Sequence, residues 1–224
     1  MNVSAIVSAY YAEIFLKQRL ENLLAQAPQP EIIVIAQRGS KEAEIVKNFP
    51  ITWILTDGIP TIYTAWNIGI LASNCEYITN ANCDDLVYVG SFKEMSDILD
   101  EFPDVALVYG DNDVTENDGF GVAYLKQRPG GGFNELKQRC FVGPFPMWRK
   151  SLHTKYGFFN EHYKVCGDYE FWLRISSHSE NIAHLQKSVG MYMMRPDSAE
   201  HRNRDLAESE KREIQKLYRD IVIK

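Results

Sequence analysis

The stretch Tyr77–Tyr88, "YITNANCDDLVY", decides how the chain is read. It enters through Tyr77 and Ile78, then turns to Asn80, Asn82, Asp84 and Asp85. An apolar strand thus delivers two adjacent carboxylates to its end. Asn and Asp at a strand end also form ordinary turns and cap the following helix. Clustered carboxylate oxygens, in contrast, are what hard divalent cations require. The surrounding sequence has to choose between a turn and a cation site.

Working outward, short β-branched runs read as buried strands at 3–9 (VSAIVSA), 31–36 (EIIVIA), 51–55 (ITWIL) and 105–110 (VALVYG). Between them lie helical patterns. Ile14, Leu16, Leu20, Leu23 and Leu24 share one spacing, Ser40 opens SKEAEIVKNF as an N-cap, and TIYTAWNIGILAS precedes the strand at 77. A further helix is expected over about 90–101. Alternating strands and helices with short connections predict a mostly parallel sheet with helices on both faces. Such sheets bind ligands outside the carboxyl ends of their strands, which is where Asn82–Asp85 falls.

The second half reads differently. GDNDVTENDGFG is turn-rich, and RPGGGFNELKQRC (128–140) reads as a mobile loop, a lid rather than a phosphate loop, since no strand–helix junction surrounds its glycines. A helix is expected from about Asp168, a β segment over 182–195, and a charged helix in the tail. With no repeat or linker, residues 1–224 are expected to form one domain, with a nucleotide-type half (1–110) and an acceptor-type half (111–224).

Composition narrows the classes further. The 224 residues are 45% apolar and 24% charged, ordinary values for a globular protein. A net charge of -6 argues against a nucleic-acid binder, which carries a basic face. The four cysteines form no CxxC pair, which argues against a zinc site and for reduced thiols in a cytosolic protein. No run approaches a membrane span, so peripheral attachment at the inner membrane face through partners is the membrane relationship left open.

Four segments together resemble family 2 glycosyltransferases of the GT-A fold: VSAIVSAYY, EIIVIAQRGSKE, YTAWNIGILASNCEYITNANCDDL and GPFPMWRKSLHTKYGFFNEHYKVCGDYEFWLRI. The resemblance implies an inverting, metal-dependent transfer of sugar from a nucleotide diphosphate sugar, a UDP-sugar foremost, to a glycan or lipid-linked hydroxyl. It implies a Mn2+ or Mg2+ ion on Asp84, with Asp85 as buttress and His201 as a late ligand. Asn82 stands where the family places a ribose-contacting Asp, an Asn-x-Asp-Asp variant. Ala9 and Tyr10 would line the nucleotide pocket, joined by Gln37, Arg38, Asp57 and Asn67. Gln37 and Arg38 replace the usual acidic pair, and Trp66 replaces an expected Arg. Asp57 also fits a helix cap.

The same resemblance makes Asp168 the base that takes the acceptor proton, with Glu170 as fallback; Asp168 also fits a helix N-cap. Trp148 and Trp172 are sugar-stacking candidates that fit a core equally well. Two other classes compete. A non-catalytic nucleotide-sugar or glycan-binding domain would explain the replaced residues. A nucleotidyltransferase would carry a Gly-rich basic loop after the first strand, where SAYYAE stands instead.

Overall fold

The computed structural model describes residues 2–116, 121–195 and 202–223. Its centre is one nine-stranded sheet. Strands β1 (Val3–Ala9), β2 (Glu31–Gln37), β3 (Thr52–Thr56) and β4 (Tyr77–Asn80) run parallel in the order β3-β2-β1-β4. β1, β2 and β4 are buried almost throughout because helices cover both faces, whereas β3, at the sheet edge, is exposed to half-buried.

Beyond β4 the sheet becomes mixed. A short strand β5 (Leu86–Val87) lies at the far edge. Strand β6 (Val105–Glu116) carries β7 (Tyr124–Lys126) as a side branch. Strand β8 (Pro146–Arg149) inserts antiparallel between β4 and β6, and β9 (Asn181–Met194) pairs parallel with β6. β4, β6 and β9 therefore share one direction, and their carboxyl ends form one edge.

Alternation along the strands separates two cores. Helices α1 (Leu16–Leu24), α2 (Lys41–Val46) and α4 (Ser91–Glu101) pack on the face of Val3, Ala5 and Val7. Helices α3 (Ile62–Ala72), α5 (Phe133–Leu136), α6 (Ser151–Tyr156), α7 (Gly167–Ser176) and α8 (Arg204–Tyr218) pack on the face of Ile6, Ile33 and Ile78. α3 approaches β1 so closely that a Cβ on Gly69 would stand 2.5 Å from Ile6 Cγ2. Only glycine fits that crossing.

Three expectations are corrected here. The turn-rich GDNDVTE is the outer half of β6, its polar side chains paired across strands: His184 Nε2 lies 2.8 Å from Asp111 Oδ1, and Ser188 donates to Asp113. Segment 128–136 is anchored. Arg128 N donates to Asp111 (2.6 Å), Tyr109 donates to the Pro129 carbonyl (2.6 Å), and Phe133 and Leu136 of α5 are buried. α1 begins only at Leu16, leaving Ile14 exposed, because residues 12–15 form a turn whose Ala12 N–H is taken by Glu42. Among the described residues, no helix is long and apolar enough to cross a membrane.

Candidate active site

The parallel strands end together at Ala9, Gln37, Thr56 and Asn80. At the β1–β2 end lies a cavity of about 150 Å³, lined by Tyr10, Tyr11, Gln37, Lys41 and Ile59 among others. Tyr10 bridges strand ends, its hydroxyl 3.0 Å from Thr56 Oγ1. Tyr11, 77% exposed, adopts φ 56°, an uncommon backbone for an aromatic residue. Ala9 does not line this cavity; it is fully buried in the α1-side core, because it alternates with Tyr10. Arg38 and Asp57 form an exposed pair at 3.0 Å, just after the ends of β2 and β3. Asp57 is no helix cap, since Thr61 fills that role by accepting from Thr64 N.

At the β4 end, Asp85 is 1% exposed and spends both oxygens internally. Oδ1 accepts from Met193 N and Oδ2 from Asn82 Nδ2, both at 3.0 Å. Asp85 thus supports the site rather than offering oxygens to an ion. Burial, with Asp84 beside it, holds its carboxyl well above the usual range. Beneath it lies Arg19 on α1, fully buried, with Nε and Nη2 unpaired and Nη1 donating to Asn22. Burial lowers its pKa to about 10, against the pull of Asp85. A charge on the Leu16–Leu20–Leu23 face is the sequence signal that would have found it.

Asp84 is the partly exposed carboxylate of the pair, 3.6 Å from Arg195 Nη1. Arg195 in turn lies over the Phe15 ring, 4.5 Å from its centroid. Among the described residues no group of three or more His, Cys, Asp or Glu forms a metal cage. His201 lies outside the described residues. This donor set fits a Mg2+ or Mn2+ ion bound through one carboxylate plus diphosphate oxygens, the usual arrangement for a hard octahedral ion with a phosphate substrate.

Asp168 stands in the first turn of α7, where the helix dipole favours a carboxylate. It is not the N-cap, a position held by Cys166. Its Oδ1 accepts from Tyr169 N (2.8 Å) and from the Tyr63 hydroxyl (3.1 Å). Tyr63 is in the first turn of α3, so Asp168 is tied to the helix that follows the carboxyl end of β3.

Several candidates are used structurally instead. Glu170 is buried, paired with Arg174 (2.7 Å) and accepting from the Tyr218 hydroxyl (2.8 Å), so it cannot serve as fallback base. Trp148 and Trp172 are each 1% exposed and pack edge to face at 5.3 Å, leaving no face for a sugar. Asn67 is buried. It donates to the Phe159 carbonyl and Glu161 and accepts from Phe159 N, so it ties α3 to that turn rather than to a nucleotide. Trp66 packs edge-on against Tyr63 and Phe159 as core.

The sequence profile described as Glycosyl transferase family 2 matches residues 4–165, well over half of the chain. The chain belongs to glycosyl transferase family 2. It is 24% identical over 192 residues to an uncharacterized glycosyltransferase of Rickettsia conorii, covering 77% of this chain and 31% of that protein. A similar Rickettsia typhi protein aligns over 197 residues at 24%, covering 78% of this chain and 59% of the relative. The chain thus spans about a third of the first relative's length and somewhat over half of the second's.

Among solved structures, S. aureus TarS in complex with UDP-GlcNAc superposes with a TM-score of 0.72 at 17% identity, covering 97% of this chain and 71% of that one. Mannosyltransferase PcManGT from Pyrobaculum calidifontis, in complex with GDP-Man and Mn2+, gives 0.71 at 16%, covering 98% and 64%. At such identities the likeness establishes the fold, and the fold of this family 2 member is GT-A.

Proposed function

We propose that this family 2 chain is an inverting glycosyltransferase that moves a sugar from a nucleotide diphosphate sugar to a hydroxyl of a glycan or lipid-linked acceptor. What supports the reading is that Asp84 follows the carboxyl end of β4 while Asp168 bonds Tyr63 in the helix that follows the carboxyl end of β3, so both carboxylates belong to the carboxyl ends of parallel strands. The donor complexes of the two solved relatives, with UDP-GlcNAc and with GDP-Man, support a nucleotide-sugar donor.

In this reading the nucleotide enters the cavity beside Tyr10, Tyr11 and Gln37, and the diphosphate extends toward Asp84. Gln37 offers an amide to a base edge, while Arg38 and Asn82 contribute at the rim and toward the ribose. Asp84 would hold a divalent ion, whose charge stabilises the departing diphosphate. Asp168 takes the proton of the acceptor hydroxyl as its oxygen bonds to the anomeric carbon from the side opposite the phosphate. The bond to the phosphate oxygen breaks, its electron pair leaves on the nucleoside diphosphate, and the configuration inverts. The acceptor chemistry points to glycan or polysaccharide assembly in the cytoplasm, at the inner membrane face where the acceptor is lipid-linked.

Incubation with a panel of nucleotide sugars and Mn2+ tests the reading by release of nucleoside diphosphate. Release from at least one donor is expected. Donor binding without release from any of them would favour a binding domain of the same fold.

A further inference from the structure

We propose that Tyr63 and Glu210 form a two-sided clamp that positions Asp168 for proton transfer, Tyr63 through its hydroxyl and Glu210 through the backbone leading into α7. The proposal rests on the reading of Asp168 as the base.

Glu210 of α8 is 6% exposed, and its carboxylate collects three consecutive backbone donors: Lys164 N at 2.7 Å, Val165 N at 3.0 Å and Cys166 N at 2.9 Å. Charge-assisted bonds of this kind are the strong ones, and three on one buried carboxylate fix the turn before the helix. Tyr63 holds the other side of the same segment, its hydroxyl 2.7 Å from the Val165 carbonyl. The Val165 residue is therefore gripped by its N–H from α8 and by its C=O from α3. Three residues on, the same Tyr63 hydroxyl reaches Asp168 Oδ1.

The packing requires glycine at the start of α7. A Cβ on Gly167 would stand 2.7 Å from Tyr63 Cε2, so a side chain there would displace the ring. Glu210 lies outside residues 4–165, in the part of the chain the family profile does not cover.

The hydroxyl suits both protonation states of a base. A phenol has one hydrogen to donate and lone pairs with which to accept. With Asp168 ionised, Tyr63 shares its one hydrogen between the Val165 carbonyl at 2.7 Å and the carboxylate at 3.1 Å. Once Asp168 has taken a proton, that hydrogen turns wholly to the Val165 carbonyl and the phenol oxygen accepts from the new acid. Burial and the Asp168 charge hold the Tyr63 phenol well above its ordinary pKa, so it stays a donor at working pH. Among the described residues, the thiols of Cys140 and Cys166 are titratable groups that feel the Asp168 charge or its neighbours.

Two variants test the clamp. Tyr63→Phe deletes one oxygen, and Asp168 is then titrated by 13C NMR of its carboxyl carbon. Loss of a donor to the carboxylate raises the midpoint, and the acid limb of the pH profile for nucleoside diphosphate release, measured with UDP-GlcNAc or GDP-mannose and Mn2+, moves to higher pH with it. Glu210→Gln is expected to lower kcat at least ~10-fold while the donor KM holds, because the base is displaced and the donor site is not.

An unchanged Asp168 midpoint in Tyr63→Phe overturns the clamp, as does a Glu210→Gln enzyme with wild-type kcat. Should Glu210→Gln fail to fold, the Tyr63→Phe titration decides alone, without need of activity. Asp168→Asn separates the layers. If it releases nucleotide at the wild-type rate, the base assignment itself fails; if it is inactive while the Tyr63→Phe midpoint stays put, only the clamp fails.

Discussion

The Tyr63 hydroxyl lies 3.1 Å from Asp168 Oδ1, joining the first turn of α3 to the first turn of α7. Residues 73–166 separate these helices, yet the bond ties Asp168 to the helix that follows the carboxyl end of β3. In the proposed inverting transfer, proton removal and charge stabilisation on opposite sides of one anomeric carbon would draw on two such carboxylates, Asp168 and Asp84.

Asp168→Asn keeps the size and the Oδ1 acceptor but cannot take a proton. Turnover is expected to fall about 10²- to 10⁴-fold with nucleotide affinity retained. Initial rates set beside nucleotide binding by calorimetry check this; an active Asp168→Asn enzyme would remove the base from the account.

Asp84→Asn removes the partly exposed carboxylate and leaves Asp85, with its internal bonds, in place. Mn2+ binding in the presence of UDP should weaken by at least tenfold, about 1.4 kcal/mol, with little change in Tm. Calorimetric titration of Mn2+ and a thermal melt give both quantities.

Trp148→Ala and Trp172→Ala should act through stability. Each ring is fully enclosed, so truncation is expected to cost about 3–5 kcal/mol in chemical denaturation. A sugar-stacking residue would instead raise acceptor KM at unchanged stability, and that outcome would return the rings to the site.

His153 sets a pH dependence of stability. Trp148 Nε1 donates to its Nε2 at 2.8 Å, so the proton sits on Nδ1, facing the Gly157 carbonyl. The ring stacks on Phe171 at 4.7 Å, and burial depresses its pKa from 6.5 to about 4. The folded state holds the neutral ring, while the unfolded chain takes up a proton below 6.5. Stability is therefore full above pH 6.5 and lost as pH falls toward 4, by roughly 3 kcal/mol. Denaturation curves across that window should flatten in His153→Gln.

β1, β2 and β4 were legible in the sequence because strands buried on both faces are mostly apolar and β-branched; β3, exposed at the sheet edge, was legible from its β-branched run alone. The Asp84–Asp85 tip followed from what ends β4. The outer half of β6 was hidden because Asp111 and Asp113 find strand-to-strand partners far along the chain, in His184 and Ser188. GDYEFW offered Asp168 as the base and Glu170 as its fallback. Residues two apart on a helix point about 200° apart, so one reaches Tyr63 and the other enters the Arg174–Tyr218 network. Arg19, Tyr63 and Glu210 act through contacts from distant elements, and only the misplaced charge of Arg19 on an apolar helix face gave a local signal.

The most direct test is anomalous diffraction from a crystal soaked with UDP and Mn2+. The account predicts a manganese peak on an Asp84 oxygen, bridged to the UDP diphosphate, with the open side of the diphosphate facing Asp168. A diphosphate bound elsewhere, or bound at the β4 end with Asp168 on the far side of the sheet, would contradict it.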